Sequence, residues 1–342
     1  MTRLKLHHRL PLIGRPFLQR NQARLERDHA RRQLAEACLD RDQARLERDQ
    51  ALKERVRLGN DAAALSALFA PPGHYYSPIV DPVEADCHFA RLEAGPIPLS
   101  LAGIAVNREQ MIEKWNSLLP YLREVPFPQC KASGFRYAFD NIFYSWGDGS
   151  ILYAMLRSLR PQRFIEVGGG WSSACALDTA ERHFNRECEF TFVDPYPQML
   201  RSLCGELASN MRIIETPIQQ APLAPFEALE AGDVLFIDST HILRTGGDVC
   251  FELFEVLPRL ASGVAVHFHD MFWPFEYPRK WAVDEKRSWN ELYAVRAFLT
   301  NNDDWRIIFF NDYFAKTERK LVAASYPDFL KNAGGALWLQ RA

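Results

Sequence analysis

From Pro161 to the C-terminus the chain alternates between two kinds of segment. Short apolar runs occur at 163–167 (RFIEV), 189–193 (EFTFV), 211–215 (MRIIE), 233–237 (DVLFI), 263–268 (GVAVHF), 305–310 (WRIIFF) and 335–340 (GALWLQ), and stretches of helical length separate most of them. Runs of this length, rich in β-branched and aromatic residues, read as strands. Several are apolar almost throughout, which is the pattern of a parallel sheet buried on both faces. The alternation predicts an α/β fold built on a doubly wound, mainly parallel sheet. Ligands on such sheets bind outside the carboxyl ends of the strands, near the point where strand order reverses. The residues at those ends are Glu166 to Gly170, Asp194, Glu215, Asp238 and His269–Asp270.

The first strand runs into FIEVGGGWSSACALDTA. Gly168, Gly169 and Gly170 permit positive φ and close backbone approach, and Ser172 and Ser173 are suited to cap the helix that follows. Such a turn is expected to leave backbone N–H groups for a ligand such as a nucleotide cofactor; a plain tight strand–helix turn is the alternative. Glu166 sits where a buried parallel strand would prefer an apolar residue. Asp194, ending the second strand in FTFVDPYP, can accept hydrogen bonds from both hydroxyls of a ribose. The dinucleotide fingerprint G-x-G-x-x-G is incomplete, because Ser173 stands at its third glycine. That argues against a nicotinamide-dependent oxidoreductase.

These residues resemble a family. The E-x-G-x-G-x-S pattern at 166–172, the acid at Asp194 and DVLFIDSTH at 233–241 look like the class I S-adenosylmethionine-dependent methyltransferases. More narrowly, RYAFDNIFYSWGDGSILYAMLRSLRPQRFIEVGGGWSS, DVLFIDSTHILRTGGDV and VAVHFHDMFWPFEYPRKWAVDEKRSWNE resemble the small-molecule group called methyltransferase domain 24. The resemblance covers about residues 130–315, with the motifs in the same order; Ser172 departs from it where many relatives carry a third glycine. It implies a seven-stranded Rossmann-like sheet whose last strand is antiparallel, and S-adenosylmethionine as cofactor. Glu166, Gly168, Gly169, Gly170 and Ser172 would shape the pocket for the cofactor's amino-acid part, Asp194 would hold its ribose, and Glu215 to Gln219 would lie near the adenine. Asp238 would sit near cofactor or substrate. Asn141, Tyr144 and Asp148 are weaker candidates to close over the site.

The fourth and fifth strand ends carry Asp238, His241, His269 and Asp270. In the resembling fold these ends are neighbours beside the cofactor's methyl. Transfer to an oxygen requires loss of a proton, and a histidine with an unperturbed pKa near ~6.5 suits a general base. His241, His269 and Asp270 are therefore the candidate catalytic residues. A divalent cation such as Mg²⁺ or Mn²⁺ offers another route, with Asp238, His269 and Asp270 as its candidate ligands; relatives of this fold place metal ligands at these two strand ends. His267, in line with Ala265 on one strand face, reads as a core histidine, and Asp270 is also suited to capping a turn. The segment MFWPFEYPRKWAVDEKRSWNE (271–291) is long for a strand–helix connection. It reads as a substrate wall or as an apolar cover over the sheet edge.

Upstream, residues 1–19 form a basic start and residues 20–58 carry a degenerate seven-residue repeat with alanine at 23, 30, 37, 44 and 51. Strong helix formers without Gly or Pro predict a long helix. Its spacing falls short of a good a/d seam, leaving a self-associating coiled coil and a solvated single helix both open. Residues 59–78 read as a linker, 79–150 as a helical and irregular cap, and 151–342 as the methyltransferase domain. Residues 1–60 hold 15 Lys and Arg against 8 Asp and Glu, although the 342-residue chain has a net charge of −2. The basic excess thus belongs to one segment, and nucleic acid is not an expected partner. The 7 cysteines are scattered without a C-x-x-C pair, which favours reduced thiols. No apolar run reaches the ~18–20 residues of a membrane span, and a cytoplasmic location is expected. The function expected is methyl transfer from S-adenosylmethionine to a hydroxyl of a small molecule or glycan. The alternative is an inactive methyltransferase-like assembly protein that works through its N-terminal helix.

Overall fold

The computed structural model describes residues 68–185, 187–205 and 210–342. The basic start, the repeat and the first part of the linker lie outside the described residues. The unit Pro72–Ala342 carries everything that follows.

All seven apolar runs form strands: β1 Arg163–Val167, β2 Glu189–Val193, β3 Met211–Ile214, β4 Val234–Ile237, β5 Ala265–Phe268, β6 Trp305–Phe310 and β7 Leu337–Arg341. They make one sheet in the order β3-β2-β1-β4-β5-β7-β6. The strands from β3 to β5 are parallel to their neighbours, and β7 is antiparallel to both β5 and β6. Every residue of β4 and β5 is buried, so the sheet centre is covered on both faces, as its unbroken apolar runs require. Chain order reverses between β1 and β4, which opens the crevice at the carboxyl ends of these strands.

The helices are α1 Pro82–Glu93, α2 Arg108–Leu122, α3 Trp146–Leu159, α4 Trp171–His183, α5 Gln198–Cys204, α6 Ala224–Glu227, α7 Asp248–Phe251, α8 Glu291–Leu299, α9 Asn311–Thr317 and α10 Arg319–Ser325. Helix α2 starts where Asn107 Oδ1 accepts from the Gln110 N–H at 3.0 Å, a side-chain N-cap. It buries Met111, Trp115, Leu118 and Leu122, a stripe at helical spacing. Trp115 packs on Phe314 with ring centroids 5.0 Å apart, which ties α2 to α9. Helix α3 begins at Trp146. The Gly147 N–H donates to the Asn332 carbonyl at 2.7 Å, and a Cβ at Gly147 would run into the Ala333 backbone. Gly147 thus serves close packing of α3 against the loop that enters β7, whereas Gly149 makes room for the Tyr137 ring.

Candidate active site

Gly168 follows β1 with φ +81°, and a Cβ there would collide with the backbone carbonyl of Asp238. Only glycine lets the turn lie against the end of β4. The glycine N–H groups are not left for a ligand. Gly168 donates to the Val193 carbonyl at 3.0 Å, Gly169 to Asp194 Oδ2 at 3.0 Å and Gly170 to Ser173 Oγ at 3.0 Å. The first intrahelical bond of α4 runs from Ala174 N to the Gly170 carbonyl. The N–H groups without helical partners are therefore those of Trp171 to Ser173.

Ser172 and Ser173 turn inward. Both hydroxyls donate to Glu166, the Ser173 bond measuring 2.7 Å. Of the two serines expected to cap α4, Ser173 alone touches the turn, accepting from the Gly170 N–H at the third helical position. Glu166 is wholly buried. Burial pushes its carboxyl up to about 8, against the lowering effect of the two serine hydroxyls. Glu166 and Ser172 thus hold the turn from beneath. Asp194 is half-buried, with Oδ1 accepting from the Tyr196 N–H at 2.7 Å. A carboxylate has about four acceptor sites, so Asp194 keeps capacity for two hydroxyls.

The ends of β4 and β5 come together around His241. Its Nδ1 lies 2.8 Å from Glu291 Oε2, and its Nε2 lies 3.5 Å from Asp238 Oδ1 and 3.6 Å from Asp270 Oδ2. Side-chain exposure falls from 30% at Asp238 through 16% at Asp270 and 6% at His241 to 1% at Glu291. The open end of the cluster is therefore Asp238. His241 and Asp270 both adopt left-handed φ, at 60° and 57°, a cost that persists where surrounding contacts fix the residue. Those contacts are visible at His241, whose carbonyl accepts from Asn290 N at 3.1 Å and Glu291 N at 3.2 Å. Leu243 N donates to Asn290 Oδ1 at 2.6 Å. The loop after β4 is thereby bolted to the start of α8.

Burial alone would lower the His241 imidazole, but the contacts with Asp238 and Glu291 and the charge of Asp270 outweigh it and hold it well above its ordinary value. His269 Nε2 lies 3.4 Å from Asp270 Oδ1. Burial opposes its charge too, yet Asp270, Asp238 and Asp148 raise it. Asp238 is raised by burial and lowered more strongly by the two histidines, ending below the usual carboxylate value.

His267 is fully buried, stacked on Phe236 with ring centroids 3.9 Å apart. Burial lowers it well below its ordinary value, as befits a core histidine. Asn141 organises its own turn, accepting from Tyr144 N at 2.6 Å and donating to the Ala138 and Tyr144 carbonyls. Tyr144 is buried against His269, with ring centroids 5.2 Å apart. Asp148 is buried at the start of α3, where Asn311 Nδ2 donates to it at 3.3 Å, and burial pushes it up to about 7. The segment 271–291 divides. Trp273, Phe275 and Tyr277 are buried, with Trp273 edge-on to Tyr313 at 4.8 Å, so its first part is core and not an exposed wall. In its second part the Arg287 guanidinium lies 4.3 Å from the Trp281 ring and 4.5 Å from that of Trp289. Trp289 in turn packs on His241 at 4.5 Å.

Residues 165–271 match the family model described as a methyltransferase domain, a span from β1 to just past β5. The sheet order, with antiparallel β7 inserted between β5 and β6, completes the pattern. The chain has a class I methyltransferase fold. An uncharacterized protein of Archaeoglobus fulgidus is 26% identical over 162 residues, which is 47% of this chain and 73% of that protein. Among solved structures, the Podospora anserina methyltransferase PaMTH1 bound to S-adenosylhomocysteine is 14% identical, with TM-score 0.37, covering 80% of this chain and 100% of that one. The O-methyltransferase TomG of Streptomyces achromogenes, in complex with S-adenosylmethionine, is 12% identical, with TM-score 0.34, covering 76% and 96%.

The expected metal ligands Asp238, His269 and Asp270 are not brought together as a metal-binding group. Among the described residues no three His, Cys, Asp or Glu side chains converge as a metal-binding group. Asp238 and Asp270 are separated by His241 Nε2, which contacts both. A small divalent cation needs several donors converging at about 2.0–2.2 Å, and here an imidazole fills the gap between the carboxylates. The sequence indicated His241 but gave no sign of its partner Glu291, which lies 50 residues away in a polar stretch.

Proposed function

We propose that this domain transfers a methyl group from S-adenosylmethionine to a hydroxyl of a small molecule or glycan, with His269 receiving the hydroxyl proton. The observation that supports this most is an arrangement across the β1–β4 switch point. On one side Asp194 is held by the glycine turn with acceptor capacity to spare; on the other, two histidines and two aspartates meet at the ends of β4 and β5. The cofactor fits the donor set, since Asp194 suits a ribose and the first turn of α4 has N–H groups without helical partners. When bound, S-adenosylmethionine supplies an electrophilic methyl group.

The chain's own residues then position the acceptor and handle its proton. Holding two reactants in line accounts for much of such a reaction. His241 is ill-suited as the base, because Nδ1 is committed to Glu291 and Nε2 to the two aspartates. His269 is held on one nitrogen, Nε2 lying 3.4 Å from Asp270 Oδ1, while its Nδ1 has no hydrogen-bond partner among the described residues. As the O–H bond breaks, the proton passes to the imidazole and the Asp270 carboxylate balances the imidazolium formed.

Turnover measured as S-adenosylhomocysteine release across phenol, sugar and amine acceptors tests this reading. Hydroxyl acceptors are expected to react, and His269→Gln to lose roughly 10²–10⁴-fold in kcat with S-adenosylhomocysteine affinity retained. Turnover confined to amines, or a fully active His269→Gln enzyme, would overturn it.

A further inference from the structure

We propose that His241 takes the place of a divalent cation between the carboxylates at the ends of β4 and β5, so that this site works without a metal. The inference deepens the methyltransferase reading and rests on it for the identity of the site. Its grounds are geometric. His241 Nε2 contacts Asp238 Oδ1 at 3.5 Å and Asp270 Oδ2 at 3.6 Å, while Nδ1 contacts Glu291 Oε2 at 2.8 Å. Three carboxylates thus surround one imidazole, and the Trp289 indole packs on it at 4.5 Å. Carboxylates and an aromatic ring are what a fixed organic cation calls for.

The backbone holds the ring in place. His241 adopts φ 60°, and its carbonyl receives two N–H groups at the start of α8, at 3.1 and 3.2 Å. Glu291, nearly inaccessible at 1%, anchors the far nitrogen. The imidazole therefore cannot swing aside for an ion without breaking contacts on both of its nitrogens. Its part is positioning: it holds Asp238 and Asp270 in register next to His269, as a bridging cation would. It gives up no proton in the reaction.

Removing the ring leaves Asp238, Asp270 and Glu291 as unbalanced carboxylates around a vacated space. Like charges so placed favour either protonation or capture of a cation. The substitution that deletes the imidazole should therefore create a metal site that the wild type lacks.

Mn²⁺ titration of the full chain, followed by loss of the free-ion electron paramagnetic resonance signal, tests this. Wild type is expected to bind no more Mn²⁺ than Asp238→Asn does. His241→Ala is expected to gain one Mn²⁺, and His241→Ala/Asp238→Asn to lose it again. Mn²⁺ bound by wild type and lost in Asp238→Asn would overturn the proposal. So would a folded His241→Ala protein without the gain. Should His241→Ala fail to fold, the wild-type comparison decides, together with His241→Gln, which keeps a bridging amide and is expected to gain no Mn²⁺. Calorimetric titration of the same wild-type sample with S-adenosylhomocysteine separates the two readings. Binding of S-adenosylhomocysteine alongside an Asp238-dependent Mn²⁺ would sink this inference alone, whereas no binding would count against the methyltransferase reading itself.

Discussion

At Gly168 a side chain has nowhere to go. Its φ is +81°, and a Cβ would meet the Asp238 carbonyl, a backbone atom that cannot rotate aside. Gly168→Ala should lower stability by about 2–4 kcal/mol and abolish cofactor binding. Gly169→Ala should cost less, because its Cβ meets only the Leu200 side chain at 3.1 Å. Thermal unfolding of the two variants checks the order. Glu166 makes a pH prediction. Burial raises it to about 8 in the folded chain, while the unfolded chain releases the proton near its ordinary value of ~4.5. Between those limits the folded state binds more protons, so stability falls as pH rises. Melting curves of Glu166→Gln should therefore gain on wild type from pH 5 to pH 8; a constant difference would show that Glu166 does not carry this slope. At this scale the sequence revealed which residues mattered better than what they do. The glycine triplet was legible, but its N–H groups proved committed to Val193, Asp194 and Ser173. Those partners become visible only when β1, β2 and α4 are placed side by side.

Among the elements, strands were the easiest to read. A parallel strand buried on both faces leaves an unbroken apolar run; β4 shows it at every position, and β5 breaks it at His267 alone, which is itself buried. Helix α2 falls within 79–150, read as a helical and irregular cap, and its stripe of Met111, Trp115, Leu118 and Leu122 is buried at helical spacing. The segment 271–291 was ambiguous for a physical reason: aromatic residues serve a binding wall and a buried core equally well. The structure sends Trp273 and Phe275 into the core with Phe310 and Tyr313. Trp281 and Trp289 are left around Arg287. Trp273→Ala should thus cost about 3–5 kcal/mol of stability. Trp281→Ala, from a half-buried position, should cost less. Denaturant midpoints with unchanged slopes would establish the difference; equal losses would mean that the two halves of the segment pack alike.

For the molecule as a whole, the site belongs to the unit Pro72–Ala342. The repeat at 20–58 lies outside the described residues, and we propose self-association as its role. A chain beginning at Pro72 should therefore keep its affinity for S-adenosylhomocysteine while light scattering shows fewer subunits per particle than for the full chain. Equal oligomeric states would remove that role. Among the described residues no helix is long and apolar enough to cross a membrane. The central claim is that the crevice between β1 and β4 holds S-adenosylmethionine, with Asp194 on its ribose. Calorimetric titration with S-adenosylhomocysteine tests this most directly. Wild type should bind one equivalent, and Asp194→Ala should bind at least about tenfold more weakly, in keeping with the loss of hydrogen bonds to a charged group at about 1.5–3 kcal/mol. Absence of binding by wild type, or undiminished binding by Asp194→Ala, would contradict it.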